Sequence, residues 1–134
     1  KAIIPSDLEK YYHLYPFFQE RELKLAYTIS DSIVARAGSG TIFEIAALGK
    51  PSILIPLPSA AQNHQLKNAY SFAEGKKSII IEETNFTPHF FLERLKFLFS
   101  NLKELEEMRK KAKEFSRPRA AKIIAAYILE YLSK

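Results

Sequence analysis

The sequence DSIVARAGSGTIFEIAALGKPSILIPLP, residues 31–58, decides the fold of this chain. Residues 31–35 and 52–57 within it predict two strands, whose apolar residues are consecutive and do not alternate with polar positions. Such runs are typical of parallel strands that are covered on both faces. Residues 41–48, between the two runs, predict a helix that ends at Gly49. This order of strand, helix and strand predicts an α/β fold with a parallel sheet.

The rest of the chain continues the alternation of strands and helices. Residues 78–81 contain three consecutive isoleucines and predict a third strand. Thr87 is a favourable N-cap residue and Pro88 is a favourable first residue of a helix, so a helix is predicted to begin here. Helices are predicted over residues 20–29, 62–73, 87–99, 103–115 and 118–132, and residues 11–17 predict a short strand and a loop.

The composition is that of one globular domain. The chain has 134 residues, of which 47% are hydrophobic and 26% are charged. The absence of cysteine excludes a disulfide framework, a thiolate zinc site and a cysteine nucleophile, and the three histidines lack metal-ligand spacing. No apolar run approaches a membrane span or a signal peptide. Because the sequence does not begin with Met, we expect it to be a piece of a longer chain.

The formal net charge is +5, and most of it comes from residues 103–122. This stretch allows two interpretations, which remain open. It is either the solvated face of a helix or a surface that attracts anionic lipid headgroups or phosphates. No motif that reads DNA or RNA occurs in the chain, so nucleic acid is not an expected partner.

The first candidate site follows the strand at residues 31–35. Its sequence, RAGSGT from Arg36 to Thr41, has two glycines and two hydroxyl residues before a helix. The free N–H groups of a helix N-terminus can bind a phosphate or a sugar oxygen, although such a loop is also a common turn. Glu44 lies one turn into the helix, where its carboxylate either accepts ribose hydroxyls or complements the helix dipole.

The second candidate site lies at residues 56–68, after the strand at residues 52–57. Gln62 and Asn63 lie at its centre, and His64, Gln65 and Asn68 share one face of the predicted helix. Amides and an imidazole suit the hydroxyls of a sugar better than they suit acid–base catalysis, although a single histidine is more often structural. The chain has neither a G-x-S-x-G motif nor a Gly-Lys-Ser/Thr phosphate loop.

These motifs together carry a resemblance to a known family. The sequence R-A-G-S-G-T, a glutamate three residues later, G-K-P and then H-Q-x-x-N-A closely resemble the MurG family of bacterial glycosyltransferases, over residues 15–134. The resemblance implies the glycosyltransferase family 28 C-terminal domain, a Rossmann-like parallel sheet that is the donor-binding half of a GT-B fold. It also implies transfer of N-acetylglucosamine (GlcNAc) from UDP-GlcNAc to undecaprenyl-pyrophosphoryl-MurNAc-pentapeptide, the step from lipid I to lipid II in peptidoglycan synthesis.

The resemblance implies the donor-binding residues Ser39, Gly40, Thr41, Glu44, His64, Gln65, Asn68 and Phe18. The first three would contact the GlcNAc and the diphosphate, and Glu44 would hold the ribose hydroxyls. His64 and Gln65 would face the sugar, and Asn68 would reach a sugar hydroxyl. Backbone groups near Phe18 would bind the uracil. The resemblance implies no cofactor, no metal and no catalytic residue in this chain.

The resemblance also indicates what the chain lacks. The family's N-terminal domain, with the acceptor site, the membrane-facing patch and the catalytic base, has no counterpart here, and neither does its G-G-S-x-G-A loop. Residues 1–134 are therefore expected to form part of a C-terminal domain that is inactive alone. The parent protein would be peripheral to the cytoplasmic face of the membrane. We expect the segment before Asp31, or a second copy of the chain, to cover the edge of the strand at residues 31–35.

Two other functions fit the same motifs. One is the small donor-binding subunit of a two-subunit UDP-GlcNAc transferase, whose similar loop has histidine where this chain has Arg36. The other is a domain that binds a nucleotide sugar without turnover. The second alternative is disfavoured because Glu44, His64, Gln65 and Asn68 are all intact.

Overall fold

A computed structural model describes residues 4–59 and 63–133 of the chain. Its helices and strands are α1 (Glu20–Ile29), β1 (Ile33–Ala35), α2 (Ser39–Leu48), β2 (Ser52–Leu54), α3 (His64–Ala73), β3 (Ile79–Ile80), α4 (Pro88–Ser100), α5 (Leu102–Phe115) and α6 (Ala120–Leu132). Short 3₁₀ turns occur at Glu9–Tyr11 and Glu83–Asn85. The predicted alternation of strands and helices is confirmed from α1 onward.

The three strands form one parallel sheet in the order β1-β2-β3. Ile33 lies opposite Ser52 in the first pair of strands, and Ile53 lies opposite Ile79 in the second. The ladder continues at the carboxyl ends, where Ile55 donates its N–H to the carbonyl of Ala35 at 2.9 Å. The α/β fold with a parallel sheet is therefore confirmed.

Apolar side chains cover both faces of the sheet. One cluster joins the sheet to α2, α3 and α5, and the other joins it to α4 and α5. Ile53 and Leu54 are adjacent in β2, point to opposite faces and are both fully buried. This burial explains why the strands are continuously apolar in the sequence.

Local sequence sets the ends of the helices. Thr87 caps α4 by accepting a hydrogen bond from the N–H of Phe90 at 3.2 Å, as the sequence predicts. Asn101 separates α4 from α5 by accepting from the N–H of Glu104 at 3.1 Å. Gly49 ends α2 in the left-handed conformation, with φ of 61°.

The prediction of a strand within residues 11–17 is wrong. After the turn Glu9–Tyr11 the chain is irregular until α1, and Tyr11, Leu14 and Phe17 are exposed. Aromatic residues favour a strand only where a neighbouring strand completes the ladder, and the described part of this segment pairs with no strand. The helix predicted over residues 62–73 begins at His64, and Gln62 lies outside the described residues.

The sheet has an open edge at β1. Because Ile33 and Ala35 make the ladder contacts with β2, the N–H and C=O groups of Val34 point to the other side. No strand among residues 4–59 and 63–133 occupies that side. The expectation that the segment before Asp31 covers this edge is therefore wrong for the single chain. Residues 4–30 of that segment contain no paired strand, and their last part forms α1.

Helix α6 exposes all of its residues, although its composition is strongly apolar. Ile124 and Ile128 are 60% and 53% exposed, and Tyr127 is 72% exposed. The described residues thus leave a continuous apolar surface on this helix.

Candidate functional site

The two candidate loops lie at the carboxyl ends of β1 and β2, which is where open α/β sheets bind ligands. Gly38 is the extended residue before α2, and its carbonyl accepts from the N–H of Ile42 at 3.0 Å. The next three residues, Ser39, Gly40 and Thr41, form the first turn, whose N–H groups have no partner inside the helix. Ser39 and Gly40 are exposed. The first turn of α2 can therefore donate hydrogen bonds to an anion.

Open space lies next to Gly40. A Cβ atom built on this glycine would meet no other atom within 4 Å. Its backbone conformation does not require glycine, because its φ is not in the left-handed region. The lack of a side chain at this position leaves the backbone of α2 accessible to a ligand.

Two amides of α3 brace the strand-end loops. Asn68 donates from Nδ2 to the carbonyl of Ala37 at 3.3 Å, which links α3 to the loop before α2. Gln65 accepts through Oε1 from the N–H of Leu57 at 3.0 Å, which links α3 to the segment after β2. The structure thus brings Gln65 and Asn68 to the two loops, and each amide retains a second polar atom, Nε2 in Gln65 and Oδ1 in Asn68.

The start of α3 presents the third polar residue of this helix. Asn63, just before the helix, has φ of 55°, in the left-handed region that asparagine tolerates better than most residues. His64 is the first helical residue and is exposed. As the sequence predicts, His64, Gln65 and Asn68 lie within the first turn and a half of one helix.

Glu44 lies on the side of α2 that faces α1. Its Oε2 accepts a hydrogen bond from the hydroxyl of Tyr27 at 3.2 Å. Partial burial raises the pKa of Tyr27, and the negative charge of Glu44 and this hydrogen bond raise it further. Cavities of about 220 and 460 Å³ border Glu44, the smaller between α1 and α2 and the larger toward Pro118.

An ion pair that the sequence analysis missed joins the ends of all three strands. Arg36, after β1, donates from Nη1 to Oε2 of Glu83 at 2.8 Å and to the carbonyl of Ile55 at 3.2 Å. Glu83 lies in the turn after β3. Arg36 belongs to the loop motif in the sequence, but no sequence pattern near Glu83 indicates that Glu83 is its partner.

A second tyrosine–glutamate pair lies away from α2. Tyr70 on α3 donates its hydroxyl to Oε1 of Glu82 at 2.5 Å. This hydrogen bond raises the pKa of Tyr70. The pair has the same chemistry as Tyr27 and Glu44.

Phe18 is not joined to the rest of the candidate site. Its ring is half-buried and lies 4.9 Å from the ring centroid of Tyr15. None of the hydrogen bonds or ring contacts described for residues 4–59 and 63–133 links Phe18 to α2 or α3. In the described part of the chain, no group of three His, Cys, Asp or Glu side chains could hold a metal ion.

Comparisons with known proteins identify relatives over most of the chain. A family model described as "Glycosyltransferase family 28 C-terminal domain" matches residues 4–124. The chain is similar to proteins named UDP-N-acetylglucosamine--N-acetylmuramyl-(pentapeptide) pyrophosphoryl-undecaprenol N-acetylglucosamine transferase. The protein from Anaeromyxobacter sp. (strain K) is 34% identical over 113 residues, and that from Solibacter usitatus (strain Ellin6076) is 39% identical over 113 residues. Each alignment covers 84% of this chain and 30% of the relative.

A solved structure is also similar. The crystal structure of Acinetobacter baumannii MurG superposes with a TM-score of 0.76 and 30% sequence identity, over 88% of this chain and 35% of that chain. The chain thus spans about a third of the length of the proteins it matches.

Proposed function

The chain belongs to the glycosyltransferase family 28 C-terminal domain family, and from this membership we propose that it is the UDP-GlcNAc-binding part of a hexosyltransferase. The transferase would move GlcNAc to a lipid-linked acceptor, converting lipid I to lipid II. The observation that supports this proposal is that amides of α3 bind the loop that leads into α2 and the segment after β2, at the carboxyl ends of β1 and β2. Residues 1–134 would form part of the donor-binding domain.

The first turn of α2 is suited to the diphosphate. Ser39, Gly40 and Thr41 would donate backbone N–H groups, and two of them would add hydroxyls. The positive end of the helix dipole would stabilise the negative charge that develops on the departing UDP. Because the helix is already formed, no reorganisation is needed when the bond to the sugar breaks.

Uncharged groups on α3 are suited to the sugar. His64, Gln65 and Asn68 would face the GlcNAc, with Nε2 of Gln65 and Oδ1 of Asn68 left for its hydroxyls once the loops are braced. Glu44 would accept the ribose hydroxyls. Backbone groups near Phe18 would bind the uracil.

The remaining parts of the reaction would lie outside this chain. We propose that an N-terminal domain supplies the acceptor site and the catalytic base, and that the whole enzyme is peripheral to the cytoplasmic face of the membrane. None of the helices in the described residues is both long enough and apolar enough to cross a bilayer. No residue of this chain is proposed as catalytic.

The open edge of β1 supports a second proposal, that the isolated chain self-associates through it. Val34 is 44% exposed on the edge strand, and unpaired strand edges favour pairing between chains. We expect light scattering to show oligomers of the 134-residue chain, and we expect Val34→Lys to reduce them because an edge lysine opposes pairing. A wild-type chain that remains monomeric at high concentration would contradict this proposal.

The donor-binding proposal is tested by ligand-observed NMR of the chain with UDP-GlcNAc, UDP and UDP-glucose. We expect preference for UDP-GlcNAc and weaker binding in Glu44→Ala. The matched control is Glu82→Ala, which removes a glutamate that also accepts from a tyrosine hydroxyl but lies outside the proposed site. Circular dichroism checks that both variants fold. A well-folded wild-type chain that binds none of the three ligands would contradict the proposal.

A further inference from the structure

In the part of the chain that the structure describes, one side chain holds the carboxylate of Glu44. Glu44 is exposed on α2, where a long side chain would otherwise sample several rotamers. Among the described residues, the hydroxyl of Tyr27 provides its only side-chain hydrogen bond, at 3.2 Å to Oε2. A carboxylate has about four acceptor sites, so this bond leaves Oε1 and part of Oε2 available.

Tyr27 is itself fixed in place. Its ring packs against the core cluster that contains Ile42, Ile45 and Phe72. The last turn of α1 is tied to the end of α2, because Lys50 donates from Nζ to the carbonyls of Thr28 and Ser30, at 2.9 and 2.7 Å. A cation at this position also complements the negative end of the dipole of α1. The Tyr27 hydroxyl is therefore presented to Glu44 by a braced helix.

We propose that Tyr27 is a positioning residue, which holds the Glu44 carboxylate in the orientation that accepts the two ribose hydroxyls of a uridine nucleotide. This inference rests on the proposed function, since it deepens the role of Glu44. Tyr27 acts through Glu44 and need not touch the ligand. Its hydroxyl restricts the carboxylate before binding, so less rotamer freedom is lost when the ribose arrives.

Loss of the Tyr27 hydroxyl is expected to weaken binding moderately, and only for ligands that carry ribose hydroxyls. Tyr27→Phe keeps the ring that packs on the core and removes only the hydroxyl. Ordering one long side chain on binding weakens affinity by about three- to tenfold, so we expect a rise of that size in the dissociation constant for UDP. A UDP analogue without ribose hydroxyls makes no use of Glu44, and its affinity is expected to be the same in wild type and Tyr27→Phe.

The test is a set of titration calorimetry measurements with both ligands. Tyr70→Phe is the matched control, because it removes a hydroxyl that also donates to a glutamate, on an exposed part of α3. We expect it to leave both affinities unchanged. In a Glu44→Gln background, Tyr27→Phe is expected to cause no further loss. Tyr27→Met serves as a second variant without the hydroxyl if Tyr27→Phe does not fold.

The possible results distinguish the positioning role of Tyr27 from the proposed donor-binding function. A folded wild-type chain that does not bind UDP contradicts the proposed function. Binding by wild type with an unchanged affinity in Tyr27→Phe overturns the positioning role alone. An equal loss for UDP and the analogue also overturns it, because a general structural effect does not distinguish ligands by their ribose hydroxyls.

Discussion

Gly40 and Gly49 lie at the two ends of α2, and replacing each with alanine is expected to have opposite consequences. A Cβ atom at Gly40 meets nothing within 4 Å, and alanine is a better helix residue than glycine. Gly40→Ala should therefore leave the free energy of unfolding unchanged or raise it by up to about 1 kcal/mol. The new methyl group would occupy the space through which a diphosphate reaches the backbone of α2. We expect UDP-GlcNAc binding to weaken by about tenfold or more, or about 1.4 kcal/mol.

Gly49→Ala should instead lower stability and leave ligand binding unchanged. Gly49 has φ of 61°, and its added Cβ would lie 2.6 Å from Cγ of Lys113 on α5. The left-handed conformation costs an alanine roughly 1–2 kcal/mol, and the lysine must also move. We expect that loss in the free energy of unfolding, with unchanged affinity for UDP-GlcNAc in the folded fraction.

The two variants are compared by urea unfolding followed by circular dichroism and by calorimetric titration with UDP-GlcNAc. Wild-type affinity in Gly40→Ala would refute the reasoning that the diphosphate lies against the first turn of α2. Wild-type stability in Gly49→Ala would refute the reasoning from its left-handed backbone. Because each variant serves as the control for the other, a general effect of adding a methyl group to α2 is excluded.

Three further predictions concern other contacts. Ser78→Ala is expected to lower the free energy of unfolding by about 2 kcal/mol, because it removes the acceptor of the fully buried Ser52 hydroxyl. Adding Ser52→Ala should recover part of this loss, as measured by urea unfolding. Strictly additive losses in the double variant would contradict the prediction. Glu83→Gln should lower the free energy of unfolding by less than about 1 kcal/mol, because both side chains of its ion pair with Arg36 are about half-exposed. Salt screens such exposed charges, so a loss of stability that persists in high salt would contradict this prediction. The raised pKa of Tyr27 means that its stabilising contribution is complete below the ordinary value of 10.0 and is lost as the pH rises through the raised pKa. Tyr27→Phe should remove a late step from the tyrosinate absorbance titration, and an unchanged titration would contradict this.

The sequence was sufficient to predict the sheet, because its strands are buried on both faces and are therefore continuously apolar. Ile53 and Leu54 show the reason directly, since adjacent residues of one strand are both fully buried. The aromatic residues of 11–17 predict a strand wrongly, because no strand in the described part of the chain pairs with them. A strand depends on its neighbours in space, whereas a capped helix such as α4 carries its own signals.

The parts of the candidate site were predictable to different degrees. The loop before α2 and the polar face of α3 stand out as short motifs in the sequence. The contacts that join them do not, because Asn68 and Ala37 are 31 residues apart and Arg36 and Glu83 are 47 residues apart. Tyr27 belongs to no such motif, because its hydroxyl gains a role only when α1 packs beside α2.

The two amides of α3 also bear on attempts to change the sugar that such a domain accepts. Gln65 and Asn68 each use one amide atom to bind a loop, and each has a second amide atom that a sugar could contact. A substitution that redesigns the sugar-facing atom also alters the brace, so recognition and loop geometry would change together. Asn68→Asp, for example, would place a carboxylate oxygen against the carbonyl of Ala37 and push the α2 loop away. A library that aims at new donors would therefore have to vary α3 and both loops at the same time.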